Sequence, residues 1–267
     1  MIEIKNLIKC YGKYTALDRL SFKVDAGCIY GLIGYNGAGK TTLLKTVAGV
    51  YKADGGEVLF DGENIYDNAK QKSRLFYVPD DLYFKDYSSM NKMAAFYNGY
   101  YSNFSYDTFR RLTDVFGLDP KKNLNGFSKG MQRQAELVLA MATNPDFLLL
   151  DESFDGLDPQ KRQIIKNLVT EYVKDRGAHV IISSHNLHDL GDMCDRFGLI
   201  NGKRLVLDHD MADVGDNYTK YRMAFSEGDD KFEEDFAMVP LSKFTKDGRL
   251  ITITVKGDKD IAQSKIN

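Results

Sequence analysis

Apolar residues along this chain fall into short blocks whose spacing switches between a period of two and a helical period. Residues 2–7 (Ile-Glu-Ile-Lys-Asn-Leu) alternate, as a strand with one buried face does, and residues 21–24 read the same way. Residues 28–33, 75–78, 147–150 and 179–183 are mostly apolar runs, which suit strands covered on both sides in a parallel sheet. Residues 43–48 predict a helix, and residues 55–62 a strand closed by an Asp61-Gly62 turn. From residue 82 to 116 tyrosine, phenylalanine and methionine mix with polar residues at helical spacing. With the helix predicted over 133–141, this makes an inserted helical subdomain spanning 82–142. Pro159 opens a further helix to about Lys174, and Gly177 ends it. Residues 197–200 and 204–207 flank an Asn201-Gly202 turn and predict a hairpin. Strand and helix alternate, so the expected fold is α/β with a mostly parallel sheet and helices on its faces. Beyond about Asp210 the chain turns acidic and then alternates again over 250–255. The division expected is a main domain over 1–210 and a small β-rich appendage over 211–267.

Between the predicted strand 28–33 and helix 43–48 lies Gly34-Tyr35-Asn36-Gly37-Ala38-Gly39-Lys40-Thr41-Thr42. It satisfies every fixed position of G-x-x-x-x-G-K-[ST], in the strand–loop–helix context that the mechanism needs. Glycines let the N–H groups of Gly34, Asn36, Gly37, Ala38 and Gly39 turn around a phosphate, and the helix N-terminus adds partial positive charge. Lys40 is expected to reach the β and γ phosphates, Thr41 to hold Mg²⁺, and Thr42 to bond the α phosphate. A glycine-rich turn that binds nothing does not account for this context. The chain is expected to bind a nucleoside triphosphate.

Other chemistry gathers at predicted strand ends, where ligands collect in open α/β sheets. Asp151-Glu152 follows 147–150. One carboxylate there can hold the Mg²⁺ shell and the other can deprotonate water; Asp151 is assigned to the metal and Glu152 to the base. His185 follows 179–183, where an imidazole can donate to the γ phosphate. Ser128 and Gly130 stand at a helix start and present a hydroxyl and N–H groups; on local evidence alone a plain serine N-cap with no ligand explains them better.

Composition narrows the partners. The 267 residues suffice for one large α/β domain plus an appendage, with 43% hydrophobic and 28% charged residues as in ordinary globular chains. A net charge of −2 argues against nucleic acid as a partner. The three cysteines, Cys10, Cys28 and Cys194, form no C-x-x-C pair, which suits reduced thiols in the cytosol. Met1-Ile2-Glu3-Ile4-Lys5 reads as strand, so no signal peptide is expected. No run approaches the ~20 apolar residues of a membrane helix, so any membrane role is expected to come through a partner.

Taken together, these motifs resemble the nucleotide-binding subunit of an ABC transporter, over about residues 1–207. The resemblance implies a P-loop NTPase core, an antiparallel β subdomain and the helical insertion. It implies ATP and Mg²⁺ as cofactors, a second nucleotide-binding subunit, and a separate transmembrane permease at the inner face of the cell membrane. Phe127-Ser128-Lys129-Gly130-Met131 stands where the family has Leu-Ser-Gly-Gly-Gln, in a form similar to bacterial exporters with a separate membrane subunit. By the same resemblance Ser128 and Gly130 cap the partner subunit's γ phosphate, Asp158 is the key acid of the D-loop, and Tyr11 stacks on adenine. One position departs: Asp80 stands where the family has glutamine, and its shorter, charged side chain is expected beside the metal, as a ligand or through water.

The function expected is ATP hydrolysis that drives export. A nucleotide-gated ATPase with a regulatory rather than a transport role keeps the same motifs and is the alternative. A GTPase is disfavoured because no N-K-x-D is present, and a small-molecule kinase needs neither Ser128-Gly130 nor Asp155–Asp158.

Overall fold

In the computed structural model, residues 1–186, 190–212, 218–224, 241–247 and 250–256 are described. They fall into two units, Met1–Asp208 and His209–Asn267. The alternation near the N-terminus folds as β1 (Ile2–Tyr11) and β2 (Tyr14–Val24), antiparallel about a turn that holds Gly12 at φ 57°. Both run longer than the alternation predicts. Register shifts between Ile4 and Leu7, and a φ of 48° at Asn6, break the period without ending the pairing. With β4 (Gly55–Phe60) and β5 (Glu63–Asn64) they form an antiparallel sheet in the order β2-β1-β4-β5. Its apolar face, with Ile2, Ile4, Leu7, Leu17 and Phe60, is buried in the same core as Leu43 and Val47 of helix α1 (Lys40–Val47).

The apolar runs form the second sheet. Strands β3 (Ile29–Ile33), β6 (Leu75–Val78), β7 (Phe147–Leu150), β8 (His179–Ser184), β9 (Arg196–Asn201) and β10 (Arg204–Asp210) take the order β10-β9-β3-β8-β7-β6. Every residue of β3, β7 and β8 is buried, which explains why they lack alternation. Strands β3, β6, β7, β8 and β9 are mutually parallel, with Ile33 beside Ser184, Leu150 beside Ile182, and Val78 beside Leu150. That register sets Gly34, Asp80, Asp151 and His185 along one edge of the sheet. The hairpin between β9 and β10 sits one residue beyond the expected turn. Gly202 and Lys203, at φ 56° and 73°, occupy the two positions needing positive φ, while Asn201 stays in the strand.

Helices α3 (Met90–Asn98), α4 (Tyr106–Phe116) and α5 (Lys129–Ala142) occupy the segment with helical spacing, after a four-residue α2 (Ala69–Lys72) that the pattern did not indicate. Residues 82–89 are not helical: Tyr87 takes φ 58° and Ser89 caps α3. Helix α5 starts four residues before the predicted 133 because the Ser128 side chain accepts the Met131 N–H at 3.3 Å. Helix α6 (Pro159–Arg176) opens at Pro159 and ends on Gly177 in the left-handed conformation. In the second unit, β11 (Tyr218–Ala224), β12 (Leu241–Asp247) and β13 (Leu250–Lys256) form an antiparallel sheet ordered β11-β13-β12. Of the expected appendage, residues 213–217, 225–240, 248–249 and 257–267 lie outside the described residues.

Candidate nucleotide-binding site

The glycine loop leaves β3 and feeds straight into α1. Gly39 is the N-cap at φ 110°, and a Cβ there would meet Leu17 Cδ2 at 3.0 Å and the Ala16 carbonyl at 3.1 Å. A Cβ on Gly34 would lie 2.9 Å from the Ile200 carbonyl. No side chain fits at either position, so the loop lies pressed against neighbouring strands. The Gly34 N–H donates to the Ser184 carbonyl at 3.4 Å and the Ala38 N–H to the Tyr35 carbonyl at 3.1 Å, while among the described residues the N–H groups of Asn36, Gly37 and Gly39 make no backbone bond of this kind. A cavity of about 300 Å³ is lined by Asn36, Gly37, Gly39, Lys40, Thr41 and Thr42, together with Tyr11, Asp80 and Glu152. Nine residues read from the sequence as site residues therefore share one space.

Lys40 is buried. Its ammonium donates to the Gly34 carbonyl at 2.6 Å and the Tyr35 carbonyl at 3.1 Å, and pairs with Glu152 Oε1 at 3.0 Å. The other Glu152 oxygen, Oε2, lies 3.0 Å from His185 Nδ1. Loop lysine, strand-end acid and histidine thus form one chain of contacts. Glu152 itself is at φ 46°, a left-handed conformation unfavourable for a residue with a Cβ. Its N–H is held by Ser183 Oγ at 2.9 Å, and that hydroxyl donates to Asp151 Oδ1 at 2.7 Å.

Asp151 is completely buried. Burial pushes its carboxyl above the ordinary carboxylate range, while hydrogen bonds from Ser183, Thr41 and Tyr77 pull the other way. The Tyr77 hydroxyl donates to Oδ2 at 3.1 Å. A buried carboxylate joined to the Thr41 hydroxyl offers hard oxygen donors beside a phosphate loop, which is the donor set that Mg²⁺ takes. The residues fit that ion. Asp155 stands 3.8 Å from His185 Nδ1, and burial followed by the neighbouring Glu152 raises its carboxyl as well. Tyr11 lines the cavity and is exposed, its hydroxyl 3.4 Å from Thr42 Oγ1 and its ring edge-on to Tyr51.

Asp80 reaches the same cavity, but Arg133 of α5 engages its Oδ1 at 3.0 Å. Ser128, Gly130 and Asp158 line a different cavity, with Gly156, Leu157 and Lys161. There Ser128 caps α5, and Asp158 caps α6 by accepting the Lys161 N–H at 2.9 Å. Within one chain, then, the phosphate loop and the Ser128–Gly130 segment do not meet in a common pocket. Sequence reading missed Ser183, Tyr77 and Arg133, and took Asp155 only as part of the Asp155–Asp158 stretch. The signals were present: a serine in an apolar strand, a tyrosine two residues before Pro79 at a strand end, and an arginine just inside a buried helix.

Among the described residues no helix is long and apolar enough to cross a membrane. Residues 17–155 match the family described as ABC transporter. The chain is 32% identical over 225 residues to the ABC transporter ATP-binding protein YtrB of Bacillus subtilis, covering 84% of this chain and 77% of that protein. It is 30% identical over 212 residues to the linearmycin resistance ATP-binding protein LnrL of the same organism, covering 77% and 68%. A solved ATP-binding subunit of an ABC transporter superposes with a TM-score of 0.74 at 26% identity, covering 80% of this chain and 91% of that one. The chain belongs to the ABC transporter family, as an ATP-binding ATPase that is coupled to transport.

Proposed function

We propose that two copies of this subunit, or this chain and a related one, close head to tail around ATP and drive export through a separate transmembrane permease from the inner face of the cell membrane. The observation that carries this reading is the separation of the two half-sites. The phosphate loop and Glu152 line one cavity, with His185 bonded to Glu152 and Asp151 to Thr41 behind it, while Ser128, Gly130 and Asp158 line another. A serine hydroxyl and free helix-start amides form an anion cap that lacks a phosphate loop of its own. A second copy turned to face the first supplies it. Export is supported by the Phe127–Met131 form and by a relative named for linearmycin resistance.

In this reading the loop amides and Lys40 bind the β and γ phosphates. Lys40 exchanges its contacts with Gly34, Tyr35 and Glu152 for phosphate oxygens. Glu152, released from the ammonium, accepts the proton of the attacking water, and His185 keeps the carboxylate aimed through its Nδ1 contact. Thr41 and Asp151 would hold Mg²⁺, which would offset phosphate charge when bound. Tyr11 stacks on the base. ATP held across both halves favours the closed pair by mass action, and hydrolysis removes that bias.

Glu152→Gln tests this directly. The amide keeps the shape but cannot take a proton, so turnover should fall at least about a hundredfold while an ATP-bound dimer accumulates. Turnover close to wild type would remove Glu152 from the role of base.

A further inference from the structure

Arg133 is the one cation buried in the first turns of α5, five residues after its Ser128 cap, and the hydrolysis chemistry above does not use it. Its guanidinium spans two strand ends. Nη1 donates to the Pro79 carbonyl at 3.4 Å and the Asp151 carbonyl at 3.3 Å; Nη2 donates to the Asp80 carbonyl at 3.1 Å and Asp80 Oδ1 at 3.0 Å. One side chain therefore ties the helix that carries Ser128 and Gly130 to the carboxyl ends of β6 and β7. The second of those ends carries the metal acid and the base.

The charges explain the residue at position 80. The Arg133 side chain is only 10% exposed, and Asp80 supplies its carboxylate partner. A buried guanidinium facing only carbonyl oxygens is costly, whereas a fork-shaped cation against a carboxylate is well matched. Glutamine at 80 would add a methylene and remove the countercharge. The same pair borders a cleft in which Asp80, Arg133 and Lys129 face Asp155 and Gly156. That cleft joins the head of α5 to the segment following Glu152.

We propose that Arg133 and Asp80 are a positioning pair that sets the Ser128–Gly130 segment relative to the Asp151–Glu152 strand end, and so controls whether two ATP-bound subunits close. The proposal rests on reading Ser128–Gly130 as the cap for a partner's phosphate. Asp80 then acts through Arg133, and its replacement of glutamine belongs with the arginine on α5.

A double-mutant cycle in the Glu152→Gln background, read by the ATP concentration dependence of dimer mass, tests it. Arg133→Gln should bind a fluorescent ATP analogue as monomer within about twofold of its parent and weaken dimerisation about tenfold. Asp80→Gln should weaken dimerisation to a similar degree. The Asp80→Gln/Arg133→Gln double variant should be no worse than the weaker single, because both changes remove one interaction. Arg133→Lys keeps the charge but cannot fork across both strand ends, so it should fall between parent and Arg133→Gln. A roughly hundredfold loss in the double variant would make the residues independent and overturn the pairing. Parent-like dimerisation of a folded Arg133→Gln would overturn the positioning role. If the Glu152→Gln parent itself stays monomeric with ATP, the shared-site reading fails first and the pair loses its function with it.

Discussion

Ser183→Ala removes one hydroxyl and disturbs both acids of the site. In the folded chain that hydroxyl donates to Asp151 Oδ1 at 2.7 Å and accepts the Glu152 N–H at 2.9 Å, with all three residues buried. A hydrogen bond to a charged group contributes about 1.5–3 kcal/mol, and a buried N–H left unpaired costs about 1–3 kcal/mol. These overlap, since Asp151 keeps bonds from Tyr77 and Thr41. A net loss of about 3 kcal/mol is the expectation. For a domain of this size that corresponds to a fall of roughly 10 °C in Tm. The Glu152 backbone is also held at φ 46° partly by this bond, so the carboxylate should lose its aim. Turnover should drop about tenfold or more with little change in affinity for ATP. Thermal unfolding of the purified variant measures the first effect, and steady-state hydrolysis against ATP concentration the second. A Tm within about 1 °C of wild type, with unchanged turnover, would refute the argument that Ser183 holds the two acids in place.

Lys40→Ala removes a cation from the phosphate loop and should weaken binding of a fluorescent ATP analogue about tenfold to a hundredfold; unchanged affinity would mean the loop is not used as read. Glu136 lies buried on α5, with Tyr97 donating to Oε1 and no partner for Oε2 among the described residues, and burial pushes its carboxyl from the ordinary 4.5 up to about 7. Between those values the folded state holds a proton that the unfolded state releases, so stability falls as pH rises from 4.5 to about 7. Glu136→Gln should therefore raise Tm at pH 8, by up to ~3 kcal/mol of stability, and change it little at pH 4.5. Equal Tm changes at both pH values would contradict that assignment.

The parallel core was legible because buried strands announce themselves as unbroken apolar runs, and 75–78 and 147–150 end where Pro79 and Asp151 say they must. The phosphate loop was legible because its glycines answer steric demands that survive in the sequence, as Gly34 and Gly39 do. Boundaries governed by hydrogen bonds were not. The Ser128 cap moved the start of α5, and the positive φ at Lys203 moved the hairpin turn, since neither depends on periodicity. Long-range polar contacts were invisible for the same reason. Arg133 and Asp80 are 53 positions apart, and only the fold brings them to 3.0 Å. Asp80 looked like an isolated departure from a family motif until its partner on α5 came into view.

The proposed active site shared between two chains is tested by a mixture of two defective subunits. Ser128→Arg fills the space at the head of α5 but spares its own phosphate loop; Lys40→Ala does the reverse. In the mixed pair one site carries both lesions and the other joins an intact loop to an intact cap. Mass measurement with a slowly hydrolysed ATP analogue and Mg²⁺ should find each variant monomeric alone and a heterodimer when they are combined. A Ser128→Arg subunit that pairs with itself and hydrolyses ATP at the wild-type rate would contradict the account.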